Sequence, residues 1–177
     1  MPDEEPTDAL RLADPEAARH LLMYRLNRLL AVAGSLVVRL CEGGYGITRR
    51  EWGLLMWLAE RPGMPPAELA GRLGLDRART SRAITSLLGK KLITREAMPG
   101  DRRQAQLMLT PAGQAVHDAL FPQIKALNQA LLTGLDAQAL DTLDTSLAHM
   151  QQQAEALVAT RTDVPRTYRP RGGRQPE

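Results

Sequence analysis

At 177 residues, with 44% hydrophobic but only 3% aromatic residues, the chain has room for one domain cored by Leu, Ala, Val and Met plus extra helices, not for two full domains. No apolar run approaches the ~20 residues of a bilayer span, the first residues lack the basic-then-apolar order of a secretory signal, and a single Cys excludes an internal disulfide, so a cytosolic, mostly helical protein with no membrane partner is expected. The net charge of +3 conceals an asymmetry, since residues 61–104 hold ten Lys or Arg against four Asp or Glu, whereas residues 1–60 and 105–160 together hold eight against fourteen; positive charge is gathered where a phosphate backbone could dock.

Residues 1–13 read as a flexible N-terminus. Asp14 followed by Pro15 has the form of a helix start, because an Asp side chain accepts orphan amide hydrogens and Pro suits the first helical position. Leu22, Leu26, Leu29, Leu30, Ala33, Leu36, Val37 and Leu40 then recur at helical spacing until Gly43 and Gly44. A helix of roughly 28 residues is long against a mean of ~11–12, so the segment 14–47 is expected to pack on a second chain as well as its own.

A unit over residues 48–110 follows. Thr48 and Glu51 form a capping box for a helix burying Trp52, Leu55, Met56 and Leu58. Pro66 opens a short helix to Leu73, Gly74 and Leu75 make a turn, and Asp76 caps a fourth helix from Arg77 to about Lys90. Leu92–Ala97 and Gln104–Leu109 read as two strands around a tip of Pro99, Gly100, Asp101, Arg102 and Arg103. Thr110 with Pro111 and then Asp136 start two further helices across 111–160. The tail 161–177 is basic, has almost nothing apolar, and is expected to be disordered.

On a helical wheel, Thr80, Ala83, Ile84, Leu87 and Leu88 of the fourth helix face one way. Ala78, Ser81, Arg82 and Thr85 face the other, with Arg79 and Ser86 on one flank and Arg77 on the opposite one. That outward side is short and polar, as a helix entering a major groove requires, and Arg82 and Arg79 suit base recognition through paired hydrogen bonds. Arg102 and Arg103 at the hairpin tip suit a narrow minor groove, with Asp101 orienting an Arg, either Arg95 or Arg103. The bland alternatives are a solvated helix face and a polar turn; the order helix, turn, helix, basic hairpin favours DNA over both.

The run LAGRLGLDRARTSRAITSLLGKKLITREAMPGDRRQAQLMLTPAG resembles the MarR family of winged-helix regulators. It carries the family pattern at Ser81, Arg82, Leu87, Arg95, Asp101, Arg103, Leu109, Thr110 and Gly113, and the flanking helices extend the similarity over about residues 15–160. The fold implied is mostly α with a small β wing, a winged helix-turn-helix flanked by long dimerisation helices. The resemblance also implies a homodimer on an imperfectly palindromic operator with half-sites ~34 Å apart. Apolar stripes at Leu120, Ile124, Leu127, Leu131, Leu140, Leu143, Leu147 and Met150 agree with a dimer, because the winged core alone could not cover them. One residue departs from the pattern: Lys91 stands where the family has a Gly that ends the recognition helix in a left-handed conformation. Gly89, two residues earlier, could loosen that end.

The resemblance further implies release from DNA by a small aromatic acid or phenol, with no cofactor. Tyr24, Arg25, Arg28, Trp52 and Trp57 are the candidates, as aromatic faces beside a cation can hold an aromatic carboxylate, although each could equally be core or surface. The stretch DPEAARHLLMYRLNRLL is similar to the branch that represses nicotinate breakdown, which implies a hydroxylated pyridine carboxylate. Cys41 offers a redox-sensing alternative, but Arg39 points elsewhere on the helix and a small buried hydrophobe is the simpler reading. His20, His117 and His149 lack paired ligand spacing for a metal. No phosphate loop, nucleophile elbow or carboxylate pair suggests an enzyme. A winged helix that binds protein rather than DNA would not need the outward arginines.

Overall fold

The computed structural model describes residues 10–98, 101–161 and 163, with the backbone alone for Leu10, Met98 and residues 101–104. The chain divides into two compact units, Met1–Leu131 and Leu132–Glu177. Residues 1–9 of the N-terminus expected to be flexible lie outside the described residues, and Leu10–Ala13 form a single helical turn, α1.

The long first helix begins later than Asp14 and Pro15 suggest. A 3₁₀ turn at Ala18–His20 precedes it, and Ala17 and Leu21 are extended on either side, so the ladder of the following helix, α2 (Leu22–Arg39), cannot propagate back to Asp14. The turn buries His20, whose two ring nitrogens have no hydrogen-bond partner among the described residues. A π-helical turn at Leu40–Gly44 continues α2 and buries Cys41. The helix thus has 18 residues and a π turn of five, not an uninterrupted run from residue 14.

The capping box forms as the sequence predicts. Thr48 Oγ1 accepts from Glu51 N at 3.2 Å, and Glu51 Oε2 accepts from Thr48 N at 2.6 Å, which starts α3 (Arg49–Glu60). This helix is the centre of the winged unit: Trp52, Leu54, Leu55 and Leu58 are each at most 2% exposed, and it packs on α5, α6 and β2. The helix α4 (Pro66–Arg72) begins with Pro at its first position, and Gly74, at φ +59°, makes the turn. Asp76 Oδ1 then accepts from Arg79 N at 2.8 Å and opens α5 (Arg77–Gly89). Thr80, Ala83, Ile84 and Leu87 are its buried face, the period a helix laid over a core demands.

Two antiparallel strands complete the wing, β1 (Ile93–Met98) and β2 (Asp101–Leu109). Their register shifts at Ala97/Met98, where Met98 pairs with Asp101, so the second strand begins three residues before the expected Gln104. Leu107 is fully buried, and Leu109 packs at the core edge. The helix α6 (Pro111–Leu131) begins tight against the turn that follows α5: a Cβ on Gly113 would overlap the Leu92 carbonyl oxygen. In the second unit, Asp136 Oδ1 accepts from Ala139 N at 2.8 Å and caps α7 (Ala137–Thr160). Arg161 and Asp163 form a forked pair at 2.8 and 2.9 Å; the rest of the tail expected to be disordered lies outside the described residues.

Candidate nucleic-acid interface and ligand cavity

The outward face of α5 is built by its inward one. Because Thr80, Ala83, Ile84 and Leu87 are buried, the 100° step leaves Arg77, Ala78, Ser81, Arg82, Thr85 and Ser86 exposed. Arg79 is half-buried, and its Nε lies 3.2 Å from Asp76 Oδ2, so the capping carboxylate also holds this guanidinium. Arg82 has no ion-pair partner among the described residues. Arg77, on one flank, has none either, and Arg82 stands with Ser81, Thr85 and Ala78 beside it as short neighbours.

Two concavities flank α5. The larger, of about 790 Å³, runs between α4, α5 and the wing; Arg77, Ser81, Thr85 and Arg95 border it, over apolar walls that include Ile84 and Leu88. The smaller, of about 160 Å³, lies between α5 and the start of α3. Asp101, Arg102 and Arg103 fall at the start of β2; their side chains, and with them the expected pairing of Asp101 to Arg95 or Arg103, lie outside the described residues, as do Pro99 and Gly100.

The far end of α5 is fixed by contacts that the sequence reading did not anticipate. Lys90 Nζ donates to Glu51 Oε1 and Oε2, both at 2.9 Å, and to the Gly46 carbonyl at 2.8 Å, which uses all three ammonium hydrogens. Burial by itself pushes the Glu51 carboxyl up, but hydrogen bonds from Ser86, the Thr48 backbone, Lys90 and the Thr48 hydroxyl outweigh it and hold the group below its ordinary value. Ser86, expected on the DNA-facing flank, is thus also a link between α5 and α3. Beyond Lys90 the chain turns left-handed at Lys91, φ +57°. Leu92 N donates to Leu87 O and Lys91 N to Leu88 O, each at 3.0 Å, the paired bonds of a Schellman end. Lys91 therefore adopts the glycine conformation and carries its strain.

A second cavity, of about 530 Å³, opens between α2, α3 and α6. Leu30, Val37, Met56, Leu73, Ile124, Leu127 and Leu131 make it apolar, and Arg49 and Asn128 supply its polar groups. Of the five residues expected to hold an effector, Trp52 lines this cavity. Tyr24, Arg25 and Arg28 are exposed on α2 instead, and Trp57 lies under the Arg72 guanidinium, 4.6 Å from its ring centre. The cation in the cavity is Arg49, which the sequence reading passed over; the missing side chain of Gly34 makes room for its guanidinium, since a Cβ there would lie 2.8 Å from Arg49 Nη1. A basic residue at the first position of a capped helix was the available signal. Behind Trp52, His117 stacks at 5.7 Å, and Phe121 stacks on His117 at 5.4 Å. Cys41 is fully buried, and burial pushes its thiol up, away from the reactive thiolate.

Residues 45–104, the capped helix, the turn and most of the wing, match the MarR family. The winged unit is thus similar to the MarR family, and a solved structure that shares its fold is described as the transcriptional regulator SlyA. A protein of Thauera aromatica described as a transcriptional regulatory protein for the hcr operon is 35% identical over 68 residues, 38% of this chain and 41% of that relative. The MarR fold extends further than this local identity. Bordetella bronchiseptica BpsR, whose DNA binding is regulated by 6-hydroxynicotinic acid, superposes with a TM-score of 0.69 at 20% identity, over 77% of this chain and 97% of BpsR. Streptococcus pneumoniae FabT, solved in complex with DNA, gives 0.62 at 20% identity, over 76% of this chain and 99% of FabT.

Proposed function

We propose that this chain is a cytoplasmic, ligand-responsive repressor that binds double-stranded DNA as a homodimer and releases it when a small aromatic carboxylate occupies the α2–α3–α6 cavity. The observation that carries the reading is the outward face of α5: short polar side chains around the unpaired Arg82, bordered on both sides by clefts with arginines. A helix with such a face fits the ~12 Å major groove, and a free guanidinium can pair with guanine O6 and N7. FabT was solved in complex with DNA, and the hcr-operon relative is described as a transcriptional regulatory protein, which supports the same assignment here.

The dimer reading rests on apolar surface that one protomer leaves in water. On α2, Leu29 is 58%, Leu30 54% and Val32 68% exposed, and on α7 Leu157 is 53% and Val158 85%; burying such residues yields ~25 cal/mol per Å². Interlocked α2, α6 and α7 of two protomers would set two α5 helices on successive major grooves of a palindrome, ~34 Å apart. The effector reading is supported by an apolar chamber with a single cation, the chemistry of an aromatic acid, and by the ligand that governs BpsR. Cys41, buried with its thiol pushed up, speaks against redox control.

Footprinting of the chain's own promoter region tests this. A protected palindrome, steep loss of affinity with salt, and release by an aromatic acid are expected. A monomer in sedimentation, or indifference to every duplex tried, overturns it; retention of a protein partner in place of DNA would make it a protein-interaction module.

A further inference from the structure

The smaller cleft beside α5 adjoins the base-reading face through Arg79 and Arg82, and it gathers further charge from α3. Arg50 at the second position of α3 borders it, with Arg79 and Arg82 from α5, Thr48 and Ser86. Two carboxylates are near. Asp76 is bound to Arg79. Glu51 is 1% exposed and saturated by Thr48, Ser86 and Lys90, whose charge cancels its own. Arg50, Arg79 and Arg82 against Asp76 leave the cleft two charges positive. Arg50 is exposed and has no ion-pair partner among the described residues, so its guanidinium is available to an anion.

We propose that this cleft seats one phosphate of the DNA backbone, held by Arg50 and Arg79, on the side of the recognition helix away from the wing. The proposal rests on the DNA-binding reading and assigns the positioning contact to α3, outside the helix-turn-helix and wing where the sequence places DNA contacts. A helix lying in a major groove has a phosphate ridge on each side. One ridge meets the wing-side concavity with Arg77 and Arg95; the other meets the α3 side, where Arg50 waits. The cleft's 160 Å³ equals the room of about five waters at ~30 Å³ each, enough for a phosphodiester with its oxygens forked by two guanidinium groups. Because α3 also walls the effector cavity through Arg49, Trp52, Gly53 and Met56, a shift of α3 on ligand binding would move the phosphate seat with it.

The test measures affinity of the full chain against salt, for its operator and for an unrelated duplex. Arg50→Ala should weaken both about fivefold at ~0.15 M salt and lower the salt slope by ~0.9 per half-site, leaving the ratio between the two duplexes unchanged. Operators carrying a methylphosphonate at the same backbone position of both half-sites, moved through each position in turn and read with the unaltered protein, should reveal one position with the same loss; Arg50→Ala should add nothing there. An unchanged slope in Arg50→Ala, or additive losses at every methylphosphonate, overturns the seat while the DNA reading stands. If inorganic phosphate binds through Arg50 and no methylphosphonate position responds to it, the cleft is a free-anion site, and the backbone assignment is wrong. Absence of binding by the unaltered protein to any duplex defeats the DNA reading itself.

Discussion

Lys90, the residue that caps the recognition helix, spends its whole ammonium group on α3 and the loop before it, with both Glu51 carboxylate oxygens at 2.9 Å and the Gly46 carbonyl at 2.8 Å. The acid is 2% exposed at its side chain and the lysine 36%, so the pair bridges core and surface. The angle at which α5 leaves the body of the winged unit is set by this contact together with Ser86.

Removing the lysine strands a buried carboxylate. Lys90→Met should lower stability by about 2–3 kcal/mol, the scale of lost hydrogen bonds to a charged group, seen as a lower urea midpoint at unchanged slope. Operator affinity should fall as well, since the end of α5 loses its anchor. Unaltered stability would mean that Glu51 finds equal partners elsewhere.

The same carboxyl makes stability depend on pH. Its folded-state pKa lies below the ordinary 4.5, so as pH falls the unfolded chain takes up the proton first. The stabilisation is complete above the ordinary value and is lost as pH drops through the lower folded-state one. Glu51→Gln should be less stable at neutral pH and should show a shallower decline under acid than the unaltered protein, measured by chemical unfolding from pH ~3 to ~7. Parallel declines in both proteins would assign the acid sensitivity to other groups.

Two backbone positions near the wing should respond in opposite directions. Lys91→Gly relieves the left-handed strain of ~1–2 kcal/mol, partly offset by the entropy of a freer unfolded chain, and should raise stability by up to ~1 kcal/mol, a Tm shift of ~2–4 °C for a chain of this size. Gly113→Ala inserts a methyl into the Leu92 carbonyl oxygen and should cost at least ~3 kcal/mol. Differential scanning of both variants decides.

For the effector cavity, an aromatic acid at ~100 times its Kd should stabilise the protein by ~2.7 kcal/mol. Arg49→Met keeps the bulk of the side chain and removes the charge. It should lose most of that shift for the acid while keeping the smaller one given by the methyl ester. Equal shifts for acid and ester in the unaltered protein would exclude Arg49 as the carboxylate partner.

Cys41 should be protected as well as buried. A thiol reagent should label the folded chain only as fast as it opens, and labelling should become rapid in denaturant. Fast labelling of the native protein would revive the redox reading.

What the sequence by itself determined is whatever is written within a few residues: the capping box of Thr48 and Glu51, the caps at Asp76 and Asp136, the buried stripe of α5 and hence its exposed Arg82, Ser81 and Thr85, and the strand alternation at Leu107. Each is a bond or a periodicity between neighbours in the chain, so local pattern suffices. Tertiary structure decided the rest. The start of α2 moved from Asp14 to Leu22, because a 3₁₀ turn at Ala18–His20 and the extended Leu21 interrupt the helix. Glu51 gained a second task beyond its cap through Lys90, 39 residues away, Arg49 rather than Arg25 or Arg28 became the cation of the cavity, and Gly113 was required by a carbonyl from a distant turn. None of these partners is adjacent in the chain, and the energy that selects them, burial and satisfaction of a charge in the interior, exists only once the helices have met.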